Sequence, residues 1–70
     1  MNKLIIVLVR KKLGLKKNQH FRFENQRSET EYYWFNSTKL MKMCADGHYE
    51  SAHVSLNWLL DEECHVVHIE

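Results

Sequence analysis

Tyr32-Tyr33-Trp34-Phe35 constrains this chain more than any other stretch. Four of the eight aromatic residues (two Trp, three Tyr and three Phe) stand here in one unbroken row. A strand sends successive side chains to opposite faces, so Tyr32 and Trp34 share one face and Tyr33 and Phe35 the other. Both faces are then apolar. Such a strand belongs in the middle of a sheet, or buries one face and offers the other to a partner. The segments around it read as strands able to pair with it. His20-Phe21-Arg22-Phe23-Glu24 alternates, with Phe21 and Phe23 on one face. Lys39 to Cys44 sets Met41 and Met43 on one face and Leu40 and Cys44 on the other. Asp46-Gly47 is the strongest local turn signal and should join that strand to a short, edge-like strand around Tyr49 to His53. Polar Asn25 to Thr30 reads as a hairpin loop, Asn36-Ser37-Thr38 as a turn, and His65 to Ile69 as a closing strand.

Lys16 to Gln19 reads as a polar link, and the two remaining segments read as helix. Residues 3 to 13 hold Ile5, Ile6, Val7 and Val9, whose branched side chains suit a strand. Leu13-Gly14-Leu15, however, has the form of a glycine-terminated helix end, and Arg10, Lys11 and Lys12 lie where a helix dipole favours cations. Ile6, Val9 and Leu13 also fall on one helical stripe, so a helix is expected there. Ser55 to Leu60 reads as a short second helix. Ser55 is its expected cap, Val54 its staple, and Leu56, Leu59 and Leu60 its buried stripe. Asp61-Glu62-Glu63 would oppose the dipole of that helix, so packing must hold it.

Seventy residues, 44% of them hydrophobic and 27% charged, make one small globular domain spanning residues 1–70. A chain of this size buries only about 60% of its unfolded surface, which leaves room for one core and little for a buried active site. The apolar run Leu4 to Val9 is shorter than a signal peptide requires and far short of a membrane span. A soluble, cytoplasmic protein with its two cysteines reduced is expected. The net charge of +1 divides unevenly. Residues 1–35 carry eight Lys/Arg and three Asp/Glu (+5), and residues 36–70 carry two and six (−4). Such a split suits either mutual attraction of the two halves or a basic binding face.

No constellation of residues reads as catalytic. Cys44 and His48 are four apart, as are Cys64 and His68, and four such ligands can in principle hold zinc. The spacing lacks the tight Cys-Cys and His-His pairs of structural zinc sites, so no metal and no cofactor is expected. Neither cysteine has the glycine-rich oxyanion loop or nucleophile elbow of a Cys–His enzyme. The strongest polar feature is the basic cluster Arg10, Lys11, Lys12, Lys16 and Lys17. With Arg22 and exposed aromatics it could track a single-stranded nucleic acid by charge and stacking. The isoelectric point near 7.8 is low for a dedicated nucleic-acid binder, and a solvated lysine face is the simpler reading.

The segments ending Leu13-Gly14-Leu15, then Phe21-Arg22-Phe23, Tyr32-Tyr33-Trp34-Phe35, Lys39-Leu40-Met41, Asp46-Gly47 and Ser55 to Asp61, follow in an order that resembles small early-region proteins of phages and prophages of low-GC Gram-positive bacteria. The apolar run at residues 4–9 departs from the more charged opening of that group. The resemblance implies a phage protein, and by analogy of size and context one that binds a host protein, as some similarly sized phage proteins do to disarm host defences. No binding residue carries over from it.

The expected architecture is a small α+β domain: a curved antiparallel sheet of three to five strands with one or two short helices. The expected function is non-enzymatic binding of a host protein, as a counter-defence inhibitor. A nucleic-acid-binding accessory factor is the alternative, and an oligomeric assembly protein a third class. Short helices cover only one face of a single-layer sheet, so some aromatics must remain exposed. Tyr33 and Tyr49 are expected on or beside the open face as partner anchors, with Trp34 in the core. The stretch from Arg10 to Lys17 would then steer association.

Overall fold

Asn2 starts the first helix by accepting the Ile5 backbone N–H on its side-chain Oδ1 at 2.9 Å. In the computed structural model, which describes residues 2–69, helix α1 then runs Lys3–Leu13. Gly14 ends it in the left-handed region, at φ 70°. The Leu15 N–H returns to the Arg10 carbonyl at 2.9 Å, and Leu15 is buried. This is a glycine-closed C-terminus with its apolar residue folded back on the last turn. The caps and the Ile6/Val9/Leu13 stripe outweigh the β-branched composition, because burial of a stripe contributes more than a few tenths of a kcal/mol of propensity.

Five strands follow: β1 (Phe21–Phe23), β2 (Tyr32–Phe35), β3 (Leu40–Met43), β4 (Tyr49–Ser51) and, after helix α2 (Leu56–Leu59), β5 (Val66–His68). They form one antiparallel sheet in the order β4-β3-β2-β1-β5, which puts the aromatic strand in the centre. The fold is a small α+β domain, as its sequence suggests. Two turns use side chains as staples. Asn36 Oδ1 accepts the N–H groups of Thr38 and Lys39 between β2 and β3. Gln26 organises the polar loop between β1 and β2, accepting the Phe23 N–H and donating to the Ser28 and Glu31 carbonyls.

The core lies on one side of the sheet. Ile6, Val9 and Leu13 of α1 and Leu59 of α2 pack with Phe21, Phe23, Phe35 and Leu40, together with Leu15 and Cys64. Burial pushes the Cys64 thiol pKa up, as expected of an inert core thiol. The second helix differs from expectation. It is one turn long, Ser55 makes no side-chain cap bond, and Leu60 stands half exposed at its C-terminus. Leu56 and Leu59 of the expected stripe do pack on the core, and Trp58 of the same helix packs beside them.

Lys12 holds the end of that turn. Its ammonium donates to the carbonyls of Leu59 (2.9 Å) and Asp61 (2.6 Å), 47 and 49 residues away. A cation on the orphan carbonyls of a helix end offsets the acidic run that follows. Lys12→Met keeps the aliphatic stem and removes these bonds. It should destabilise the domain by about 1.5 kcal/mol, because bonds to charged donors contribute more than neutral ones. A urea titration would read this as a lowered midpoint at unchanged slope.

Among the described residues, no ion pair joins the cations of residues 1–35 to the carboxylates of residues 36–69. The Lys–carboxylate bridge runs the other way, from Lys42 to Glu31 at 3.1 Å, and it raises the Lys42 pKa. Among the described residues, the excess cations of the first half are therefore not bridged to the excess carboxylates of the second. No helix among the described residues is long and apolar enough to cross a membrane.

Candidate functional site

Register decides which aromatics are free. Residues directly opposite each other in an antiparallel ladder share a face. Phe21, fully buried, stands opposite Tyr33. Tyr33 therefore points to the helix-covered side, where its ring lies 5.8 Å from Phe21 and 4.9 Å from Phe23. This corrects the expectation that Tyr33 belongs to the open face: it is part of the core wall. The same parity overturns the expectation for Trp34. It faces away from both helices and is only half-buried, outside the core cluster.

The helix-free face is built from the other alternation. Tyr32 stands opposite Met43, Trp34 opposite Met41, and Met43 opposite Tyr49. His20, just before β1, lies on the same side with its ring 4.5 Å from Tyr32 and 5.6 Å from Trp34. Tyr32 and Trp34 lie 5.9 Å apart, and Trp34 and Tyr49 6.3 Å. The result is one continuous strip, His20–Tyr32–Trp34–Tyr49, crossing the sheet with Met41 and Met43 beside it. Tyr49 lies on this face opposite Met43 and is 65% exposed. Arg22 adds a cation on this side by the same alternation, its Nε donating to the Glu31 carbonyl at 3.3 Å. The methionines supply soft, adaptable contact area between the rings.

At one end of the strip a cleft is lined by Asn18, Gln19, His20, His68 and Ile69. Among the described residues, its titratable members are the two histidines His20 and His68. Of the basic cluster, Lys11, Lys12, Lys16 and Lys17 are exposed and Arg10 is half-buried, and Lys12 is also bonded to the end of α2. Packing thus engages two of the five expected cations. The four Cys and His residues considered for zinc are also separated. Cys44 follows β3, in the hairpin that leads to the edge strand β4. Cys64 is buried before β5, the opposite edge strand that carries His68.

His20, Met41 and Met43 are members of the face that residue type alone did not single out. Their signal was the period-two pattern, once the facing strand was known. No family model, curated protein or solved structure matches the chain.

Proposed function

We propose that this chain is a small non-enzymatic binding protein that presents its helix-free sheet face to a partner protein. The observation that carries this is the continuous strip His20–Tyr32–Trp34–Tyr49 on a face that neither helix covers. Aromatic rings with polar tips, partly exposed and already ordered by one another, lose little entropy on binding and contribute large contact area. The resemblance to phage early-region proteins supports a host protein as partner and counter-defence inhibition as the role. Lys11, Lys16 and Lys17 would contribute to the rate of encounter more than to the strength of the complex.

Binding of a single-stranded nucleic acid is the second reading, because aromatics on an open sheet face with an arginine beside them are what such binders use. Two features favour the first reading over this one. The rings lean on one another instead of standing apart to receive bases, and of the basic cluster Arg10 is half-buried and Lys12 is bonded to the end of α2.

Affinity capture from a lysate of a low-GC Gram-positive host, run in parallel with wild type and Tyr49→Ala, tests the first reading. A protein bound by the wild type and by Lys11→Glu, and weakened at least tenfold by Tyr49→Ala, is expected. A gel shift with an unstructured oligonucleotide at two salt concentrations tests the second. Steep salt-dependent binding to the oligonucleotide, with protein capture insensitive to Tyr49→Ala, would reverse the order of the two readings.

A further inference from the structure

The β3–β4 hairpin gathers Cys44, His48 and Glu50 on the core-side face of the edge of the sheet. Lys42 stands opposite Glu50, and the next facing pair along the hairpin is Cys44 and His48, with the Cys44 N–H donating to the His48 carbonyl at 2.8 Å. Cys44, His48 and Glu50 therefore point to the same side. Their ligand atoms, one thiol sulfur, one imidazole nitrogen and one carboxylate oxygen, all lie within 4.8 Å of one another. Cys44 Sγ is 3.3 Å from Glu50 Oε1, and His48 Nε2 is 4.0 Å from the same oxygen. The edges of a tetrahedral zinc site with one S, one N and one O ligand are roughly 3.3–3.6 Å, from the usual zinc–ligand distances. His48 and Glu50 are both exposed, so their side chains are free to rotate towards the ion.

Two further contacts favour an ion here. His48 Nδ1 is held by the Asp46 carboxylate, which turns Nε2 towards Cys44 and Glu50. A carboxylate on the far nitrogen of a ligating histidine is the usual outer support of a protein zinc site, fixing the tautomer and the ring. Lys42, the cation nearest Glu50 in the ladder, is paired with Glu31. Glu50 is thereby left to face the thiol instead of a lysine.

We propose that Cys44, His48 and Glu50 bind one zinc ion, with Asp46 as the positioning residue for His48 and a fourth coordination position open. The ligand chemistry favours zinc: a thiolate and an imidazole suit it, whereas magnesium and calcium take oxygen ligands. Binding replaces the thiol proton with the ion, releasing one proton to solvent. Spacing alone concealed the site, since its third ligand is a glutamate and the pair Cys64/His68 is not part of it. Tyr49 lies between His48 and Glu50 and points to the opposite face, so the ion also braces the strand that presents Tyr49 in the aromatic strip.

The full chain, freed of metal by chelator, would be titrated with cobalt(II) and then with zinc. One equivalent of cobalt is expected, with a thiolate-to-cobalt absorption in the near ultraviolet that equimolar zinc displaces. Cys44→Ser should abolish that absorption and weaken zinc binding at least a hundredfold. Asp46→Asn should weaken it about ten- to a hundredfold with the absorption retained, the signature of a positioning residue. Nitrogen-15 spectra of the five histidines identify the ligand independently of any variant. The His48 ring alone should shift on adding zinc, with Nε2 as the metallated nitrogen. Absence of the thiolate absorption, its persistence in Cys44→Ser, or binding of several ions spread over the histidines would each overturn the site.

Discussion

Phe21→Ala should unfold most of the protein at 25 °C. Phe21 is fully buried on β1, the strand next to the aromatic strand, and it is the ring at which the others meet. It stacks on Phe35 with centroids 5.7 Å apart and planes 12° apart, and it takes Phe23 edge-on at 5.5 Å. Removing a buried phenylalanine costs about 3–5 kcal/mol through lost transfer energy and the cavity left behind. A 70-residue domain without disulfides has a stability of about that size. Far-ultraviolet circular dichroism and a urea titration would show it. A cooperative transition close to that of the wild type would mean that the packing around Phe21 is not the centre of the core.

Trp34→Ala should do the reverse: leave the fold standing and remove binding. Trp34 is the middle member of the aromatic strip, touching His20, Tyr32 and Tyr49. Truncating it leaves an open notch on the surface, not an enclosed cavity, so the stability cost should be about 1 kcal/mol. Tryptophans near the centre of an interface are the side chains whose loss costs most, about 2 kcal/mol or more. Once a partner is in hand, calorimetric titration should show at least a thirtyfold weaker complex, while the variant alone still melts in one cooperative transition. The pair of variants separates the two faces of the sheet. If Trp34→Ala unfolds the domain as Phe21→Ala does, the helix-free face is structural and the proposed interface is lost with it.

The same contrast applies to the basic residues. Lys11→Glu changes an exposed charge and should affect only association. Lys12, its neighbour, bonds the end of α2. A double reversal of Lys11 and Lys12 would confuse steering with stability, and the two positions must be changed separately.

What the sequence determined by itself is what short-range chemistry dictates. Asn36 and Asp46-Gly47 set their turns because their side chains or a positive φ satisfy the local backbone; Gly47 sits at φ 94°. Leu13-Gly14-Leu15 closed α1 because the left-handed residue and the apolar one after it lie within one turn of the carbonyls they serve. Alternation fixed which side chains travel together, Tyr32 with Trp34 and Tyr33 with Phe35. It could not say which pair is covered, because both pairs are apolar, and Leu40 against Met41 and Met43 leaves the same tie. That choice was made by β1, where Phe21 and Phe23 flank a charged Arg22 and only one face can be buried. The pairing of Phe21 with Tyr33 passed the choice to the next strand. Tertiary structure alone placed Lys12 on carbonyls 47 and 49 residues away. It also brought Glu50 to Cys44 and His48 across the hairpin. The reason is the same in each case. A periodic pattern states which residues share a face, whereas the register between segments, set by the packing of the whole core, states what that face meets.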